Sequence, residues 1–242
     1  MATQLKSYNF KEGEVLLVDK PLNWTSFQVV NKLRWKIKHK IGVKKIKVGH
    51  AGTLDPLATG LLILCTGKFT KKIDDFMGLE KTYSGTITVG ATRPSFDMET
   101  EIDQTFSTEH ITPKLIKQTA ETFVGEYNQM PPIFSAKKID GKKAYDLARA
   151  GKEVNLKTKR IHISNFEITN INGNQVNFII SCSKGTYIRS IAHDFGKTLK
   201  SGAYLSALRR EKIGKYSVNN AKDIEQWLNE IENCTFVHQP NH

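Results

Sequence analysis

Apolar positions recur along the chain with two periods, and each run ends at a recognisable stop. A short apolar run from Glu14 to Val18 halts at Asp19-Lys20-Pro21, which predicts a buried strand with Lys20 at its end. Phe27, Val30, Leu33 and Ile37 follow at helical spacing, with Thr25 or Ser26 placed to cap the helix. Leu57 to Cys65 reads as a core segment. Tyr83 to Val89 alternates strictly, with Tyr83, Gly85, Ile87 and Val89 on one side and Ser84, Thr86 and Thr88 on the other, so Tyr83 is expected to open a strand. Thr112-Pro113 predicts a helix start, with Ile116, Ala120 and Phe123 as its buried stripe before Gly125. Val176, Phe178, Ile180 and Cys182 alternate again. Ile188, Ile191, Ala192, Phe195 and Leu199 then switch to helical spacing, which puts Arg189 near a strand-to-helix junction. Ile224, Trp227, Leu228 and Ile231 form a last amphipathic helix, and Asn233 to His242 reads as a frayed end. With no internal repeat, low-complexity tract or Pro/Gly/Ser linker, the expectation is one α+β body over residues 1–242.

Composition narrows the class of partner. At 242 residues and 39% hydrophobic content the chain can bury a core. Lys and Arg number 36 against 24 Asp and Glu, a formal charge of +12 that favours a polyanionic partner, nucleic acid before an anionic membrane, over charge kept for solubility alone. Six lysines lie between Lys36 and Lys47, interleaved with Ile37, Ile41, Val43 and Ile46, as a basic edge or loop or as a solvated face. Lys44, Lys45 and Lys47 immediately precede a glycine-rich turn and are the candidates for part of a nucleic-acid surface. The apolar run Leu57 to Cys65 is interrupted by Thr59 and Gly60 and is far shorter than the roughly 20 residues of a membrane span. Met1 to Lys11 is polar, with no signal-peptide core. Cys65, Cys182 and Cys234 have no CxxC spacing, which fits a reducing cytoplasm.

Several chemistries drop out. Phe69 follows Gly67-Lys68 and no glycine stands at the required distance before it, so a phosphate loop is excluded. The seven histidines show no metal-ligand spacing. Cys182 falls in phase with Val176, Phe178 and Ile180, which makes it a core cysteine before a nucleophile paired with His193. The candidate that remains is Gly49-His50-Ala51-Gly52-Thr53-Leu54-Asp55-Pro56-Leu57-Ala58-Thr59-Gly60. Pro56 pushes Asp55 away from helical dihedrals, and the glycines permit close backbone approach, so this is either a loop presenting one carboxylate or an ordinary turn.

That block, together with Val15 to Pro21, Lys81 to Val89, Pro131 to Gly151 and Cys182 to Arg210, resembles in order the bacterial tRNA pseudouridine synthases of the TruB family. The resemblance covers about Gly13 to Tyr216. It implies the pseudouridine-synthase fold, α+β with a mixed, largely antiparallel sheet flanked by helices. It also implies isomerisation of uridine-55 in the tRNA T-loop by a cytoplasmic enzyme without metal or organic cofactor. Asp55 matches the family's catalytic aspartate, Tyr83 its active-site tyrosine and Arg189 the arginine that pairs with the aspartate. Lys20 matches a basic active-site residue, Leu208 an apolar pocket residue and His50 a histidine touching RNA near the displaced base. The partner implied is the T-stem-loop of tRNA, with neither a membrane nor a protein partner.

The residue types suit the reaction. An ionised aspartate can act as nucleophile or as an electrostatic and proton-abstracting partner, an arginine beside it keeps it charged and oriented, and a tyrosine can stack on the base and relay a proton. Extruding the uridine costs a few kcal/mol, which contacts from Tyr83, Leu208 and His50 can offset. Two departures from the family pattern stand out: Arg93-Pro94-Ser95 replaces part of a Thr-Asp-Thr pattern, leaving only Asp97 to match the later aspartate, and Phe134 stands where tyrosine is usual. About 217–242 is expected to be a C-terminal helix and tail with no full PUA-type domain. Two other readings are an RNA-binding or tRNA-folding factor without catalysis, and an Asp-dependent glycosidase or phosphatase. The latter lacks an obvious second carboxylate near Asp55 or a metal cluster.

Overall fold

The structure is a computed structural model and describes residues 6–132, 138–139, 142–143 and 157–236. Phe134 and most of the Pro131 to Gly151 block, like the tail from residue 237, lie outside the described residues. The elements in chain order are β1 (Val15–Lys20), α1 (Ser26–Lys40), β2 (Val48–His50), β3 (Ala58–Thr66), α2 (Ile73–Gly78), β4 (Lys81–Val89), α3 (Pro113–Glu121), β5 (Gly125–Gln129), β6 (Lys159–Asn172), β7 (Gln175–Cys182), α4 (Ile188–Thr198), β8 (Ala203–Ile213) and α5 (Ile224–Asn233). Two-residue pairings complete the set, among them Ser7–Tyr8 alongside Thr235–Phe236. The chain divides into two compact units, one of residues 1–81 with 209–242 and one of residues 82–208.

In the first unit β3 is the central strand because nearly every side chain in it is buried, the composition of a strand covered on both faces. It pairs antiparallel with β1 from Val15 opposite Cys65 to Lys20 opposite Gly60, and with β2 through Val48 opposite Thr66. Helix α1 starts at a capping box: Thr25 Oγ1 accepts from the Gln28 amide, and the Gln28 side chain accepts from the Thr25 amide. Its buried face is Ser26, Val29, Val30, Leu33 and Ile37. Phe27, read from the sequence as part of that stripe, is 62% exposed, because the helix begins at Ser26 and the packed face runs one position out of phase with it. Helix α5 packs on the same core through Ile224, Trp227 and Ile231, and Trp227 Nε1 donates to the Leu17 carbonyl at 2.8 Å. The chain beyond α5 does not fray at once. Cys234 is buried with Tyr8 and Phe10, and Thr235–Phe236 pairs in parallel with Ser7–Tyr8, because the apolar cluster continues past the helix end.

The second unit is built on β4, β7, β6 and β5 in that spatial order, with the Ala203–Leu208 part of β8 beside β4. The β6–β7 and β5–β6 pairs are antiparallel, like β1–β3 and β2–β3 in the first unit, and the parallel pair of Ser7–Tyr8 with Thr235–Phe236 forms a separate two-stranded ribbon, so the strand pairing is mixed and largely antiparallel in an α+β architecture. Val176, Phe178, Ile180 and Cys182 of β7 are buried as their alternation requires. Phe166, Phe178, Phe123 and Phe195 form a chain of ring contacts at 5.8–6.2 Å that locks α3 and α4 to this sheet. Strand β4 opens at Lys81, two residues before Tyr83. The reason is local: the buried Lys81 sends its ammonium to the carbonyls of Met77 and Leu79 at the C-terminal end of α2, an arrangement that alternation of apolar residues does not reveal.

Candidate active site

The loop between β2 and β3 carries Asp55, and the backbone on both sides of that residue is clamped. The Leu54 amide donates to Ser26 Oγ at 2.9 Å, and the same hydroxyl donates to the Leu54 carbonyl at 3.1 Å. The Ala58 amide donates to the Asp55 carbonyl and the Asn23 amide to the Pro56 carbonyl. Buried Leu54 and Ala58 flank a half-buried Asp55, so the loop holds its carboxylate in a fixed place and is more than a mobile turn.

Lys20 lies beneath this loop with no exposed surface. Its ammonium donates to the carbonyls of Trp24 at 2.6 Å, Pro21 at 2.9 Å and Pro56 at 3.4 Å. Burial lowers its pKa from 10.5 to about 8; the Asp55 charge pulls it back up, and the Arg210 charge pushes it further down. Because the folded value lies below the unfolded one, the unfolded chain binds more protons between pH about 8 and 10.5, and folding stability gains from Lys20 as pH rises through that window. Denaturant unfolding of the parent and Lys20→Met from about pH 7 to about pH 10 is expected to show the parent gaining on the variant; parallel profiles would contradict it.

Arg210 is the residue that sequence reasoning passed over. It is 1% exposed, and it donates from Nε to the Leu61 carbonyl at 2.7 Å and from Nη2 to the Gly52 carbonyl at 3.1 Å. It therefore ties the first bend of the Asp55 loop to β3. Gly52 needs its φ of +98°, and at Gly60, φ +100°, a Cβ would lie 2.4 Å from the Arg210 carbonyl oxygen, so both glycines are required where Arg210 is seated. The only sequence signal was a second arginine after Leu208, and a charge at a core-facing strand position does not announce itself. The preceding residue, Arg209, makes a two-pronged pair with Asp19 at 3.0 and 2.7 Å. His50 opens the loop half-buried; burial first and the Arg210 charge second lower its pKa, so it is neutral at pH 7.

The second unit places Tyr83 in β4, mostly buried, Leu208 half-buried in β8 and Arg189 in the first turn of α4. Arg189 Nε meets Asp97 Oδ2 at 3.5 Å and Nη1 donates to the Ser95 carbonyl at 3.2 Å, with both charged side chains almost wholly buried. This arginine thus takes one partner, Ser95, from the part that departs from the family pattern and one, Asp97, from the part that keeps it. Ser95 Oγ donates to the Asp97 carbonyl and meets Thr100 Oγ1, while Arg93 lies over the Tyr204 ring at 4.7 Å. A second clamp holds the start of α4: Gln129 exchanges two hydrogen bonds with the Tyr187 backbone at 3.0 and 2.8 Å, and Ser190 Oγ donates to the Met130 carbonyl.

Lys44, Lys45 and Lys47 come together with Arg34, Trp35 and Lys38 around an open recess of about 640 Å³ in the first unit. Gly67, at φ +52°, sits where a Cβ would meet the Lys11 carbonyl oxygen, and Lys68 makes an exposed pair with Glu12 at 2.7 Å. Among the described residues no three His, Cys, Asp or Glu side chains cluster as metal ligands, and no helix is long and apolar enough to cross a membrane.

Residues 38–188 match the family described as TruB family pseudouridylate synthase (N terminal domain). The tRNA pseudouridine synthase B of Flavobacterium johnsoniae is 58% identical over 216 residues, 89% of this chain and 94% of that protein. The protein of the same name from Phocaeicola vulgatus is 53% identical over 227 residues, 93% of this chain and 97% of its own. Among solved structures, one described as a Cbf5-Nop10-Gar1 complex superposes with a TM-score of 0.67 at 25% identity, covering 91% of this chain and 55% of that one.

Proposed function

As a member of the TruB family of pseudouridylate synthases this chain is an isomerase that makes pseudouridine in tRNA, and we propose that its target is uridine-55 of the T-loop and that Asp55 carries the reaction. The observation behind the choice of Asp55 is the clamped loop, which fixes a half-buried carboxylate above the buried ammonium of Lys20. In the reaction the C1′–N1 bond of uridine breaks, the base turns, C5 bonds to C1′, the C5 proton leaves and N1 gains one. Atoms balance without an oxidant or an energy source. Asp55 supplies the anion that the bond-breaking step needs, and Lys20 and Arg210 act through the loop as positioning residues.

Tyr83 and Arg189 belong to the same reaction in this reading, Tyr83 as a stacking face and proton relay, Arg189 as the guanidinium that orients a carboxylate. Leu208 adds apolar contact to the extruded base, and neutral His50 offers a hydrogen bond to RNA. Tyr83→Phe is expected to bind tRNA like the parent but turn over far more slowly, whereas Tyr83→Ala also weakens capture by roughly 1–3 kcal/mol. Single-turnover assays beside binding titrations separate the two, and normal turnover in both variants would leave Tyr83 a core residue of β4. A T-stem-loop hairpin is expected to suffice as substrate, in the cytoplasm, with no cofactor added. Mapping pseudouridine in tRNA from cells lacking the protein tests the target directly: uridine-55 left modified would refute it.

A further inference from the structure

The run of lysines from Lys36 to Lys47 is divided by the structure between two duties. Lys36 pairs with Glu232 at the end of α5, and Lys40 donates to the Glu232 carbonyl at 2.5 Å, so one face of α1 is used in packing α5. Arg34 and Lys38, four residues apart on a different face, turn instead toward the recess lined by Lys44, Lys45 and Lys47. Five cations line it and no carboxylate does. Arg34 is steadied by its Nη2 donating to Asn31 Oδ1 at 2.6 Å.

The recess also holds an exposed aromatic. Trp35 is 59% exposed, and its ring is backed by His39 at 4.1 Å between centroids, with His39 Nδ1 hydrogen-bonded to the Trp35 carbonyl at 2.7 Å. A large apolar ring left open among five cations is ill suited to a solvated charged face and suits a ligand that is flat on one side and anionic on the other. The volume, about 640 Å³, is in the range of small-ligand sites, roughly 300–1,000 Å³. Lys45, Ile46 and Lys47 form a ridge shared with a second recess of about 290 Å³, whose other side carries Lys11 and Lys71. The basic track therefore continues past the first recess.

Resting on the reading of this chain as a tRNA-modifying enzyme, we propose that the Trp35 recess binds an unpaired stretch of the RNA substrate, one base stacked on Trp35 and the flanking phosphates on Arg34, Lys38 and Lys44. Duplex RNA fits it poorly because paired bases keep their faces covered, whereas single strands combine a cationic track with aromatic stacking. The recess acts in capture and takes no part in the chemistry.

The experiment uses the full chain as the parent and three variants. Trp35→Ala is expected to weaken binding of an unmodified tRNA transcript about 5- to 100-fold. Arg34→Ala with Lys38→Ala is expected to flatten the logarithmic salt dependence by about 0.7 for each phosphate that is no longer neutralised. Both keep the parental single-turnover rate at saturating enzyme. Tryptophan fluorescence of the parent should be quenched by a short single-stranded RNA more than by the blunt duplex of the same sequence, and the difference should vanish in Trp35→Phe. All these positions are on the surface, so an unchanged melting temperature confirms folding. Unaltered tRNA affinity and salt slope, or equal quenching by duplex, would overturn the proposal while leaving pseudouridine formation intact; a parent that makes no pseudouridine would instead sink the functional reading.

Discussion

Asp55→Asn is expected to lower the single-turnover rate of pseudouridine formation by on the order of 10³-fold or more, with tRNA affinity nearly unchanged. The substitution preserves shape and volume, and the loop is held by backbone contacts that do not use the side chain: Ser26 on Leu54, the Ala58 amide on the Asp55 carbonyl, and Asn23 on Pro56. Only the negative charge is removed, so an effect confined to turnover reports on charge and not on folding. Carbodiimide-adduct mapping of a T-loop transcript gives the rate, and a binding titration gives the affinity. Near-parental turnover would remove Asp55 from the chemistry and reduce the loop to a well-ordered bend.

The second large effect is expected at Asp97, the one aspartate that this segment keeps of the family pattern. Asp97→Ala takes away the carboxylate that meets Arg189 Nε at 3.5 Å in a buried setting, and it also removes the acceptor for the Glu99 amide at 3.0 Å. Breaking a buried pair from one side costs about 3–5 kcal/mol, because the remaining charge stays desolvated with less compensation. For a chain of this size each kcal/mol moves the melting temperature by about 2–4 °C, so the drop is roughly 6–20 °C. Turnover is expected to fall as well, since Arg189 is then aimed by one partner fewer. Replacing the pair together, Asp97→Leu with Arg189→Met, should recover much of the stability and none of the activity. Melting of Asp97→Ala within a degree or two of the parent would show that the pair contributes no net stability.

Much of the architecture was legible in the sequence because burial imposes a period. The alternation of Val176 to Cys182 and the helical spacing from Ile188 to Leu199 match β7 and α4, and Thr25 and Pro113 mark real helix starts, since caps and apolar faces act over a few residues. The glycine-rich block around Asp55 was legible for the same local reason: Pro56 restricts the backbone before it, and Gly52 and Gly60 admit the positive φ that other residues avoid, wherever they stand. What tertiary structure alone decided concerns polar groups whose partners are distant in sequence. Nothing near Lys20 in the chain foretells that its ammonium ends beneath Pro56, and nothing near Arg210 foretells the carbonyls of Gly52 and Leu61. Phe27 points to solvent and Lys81 inward, against what their side chains suggest, because α1 and the end of α2 set those positions. The lysines between Lys36 and Lys47 look alike in sequence; only packing against Glu232 separates the two consumed by the fold from those facing the recess. Periodicity reports which side of an element is dry, whereas a buried charge is settled by whichever carbonyl or carboxylate the folded chain brings to it.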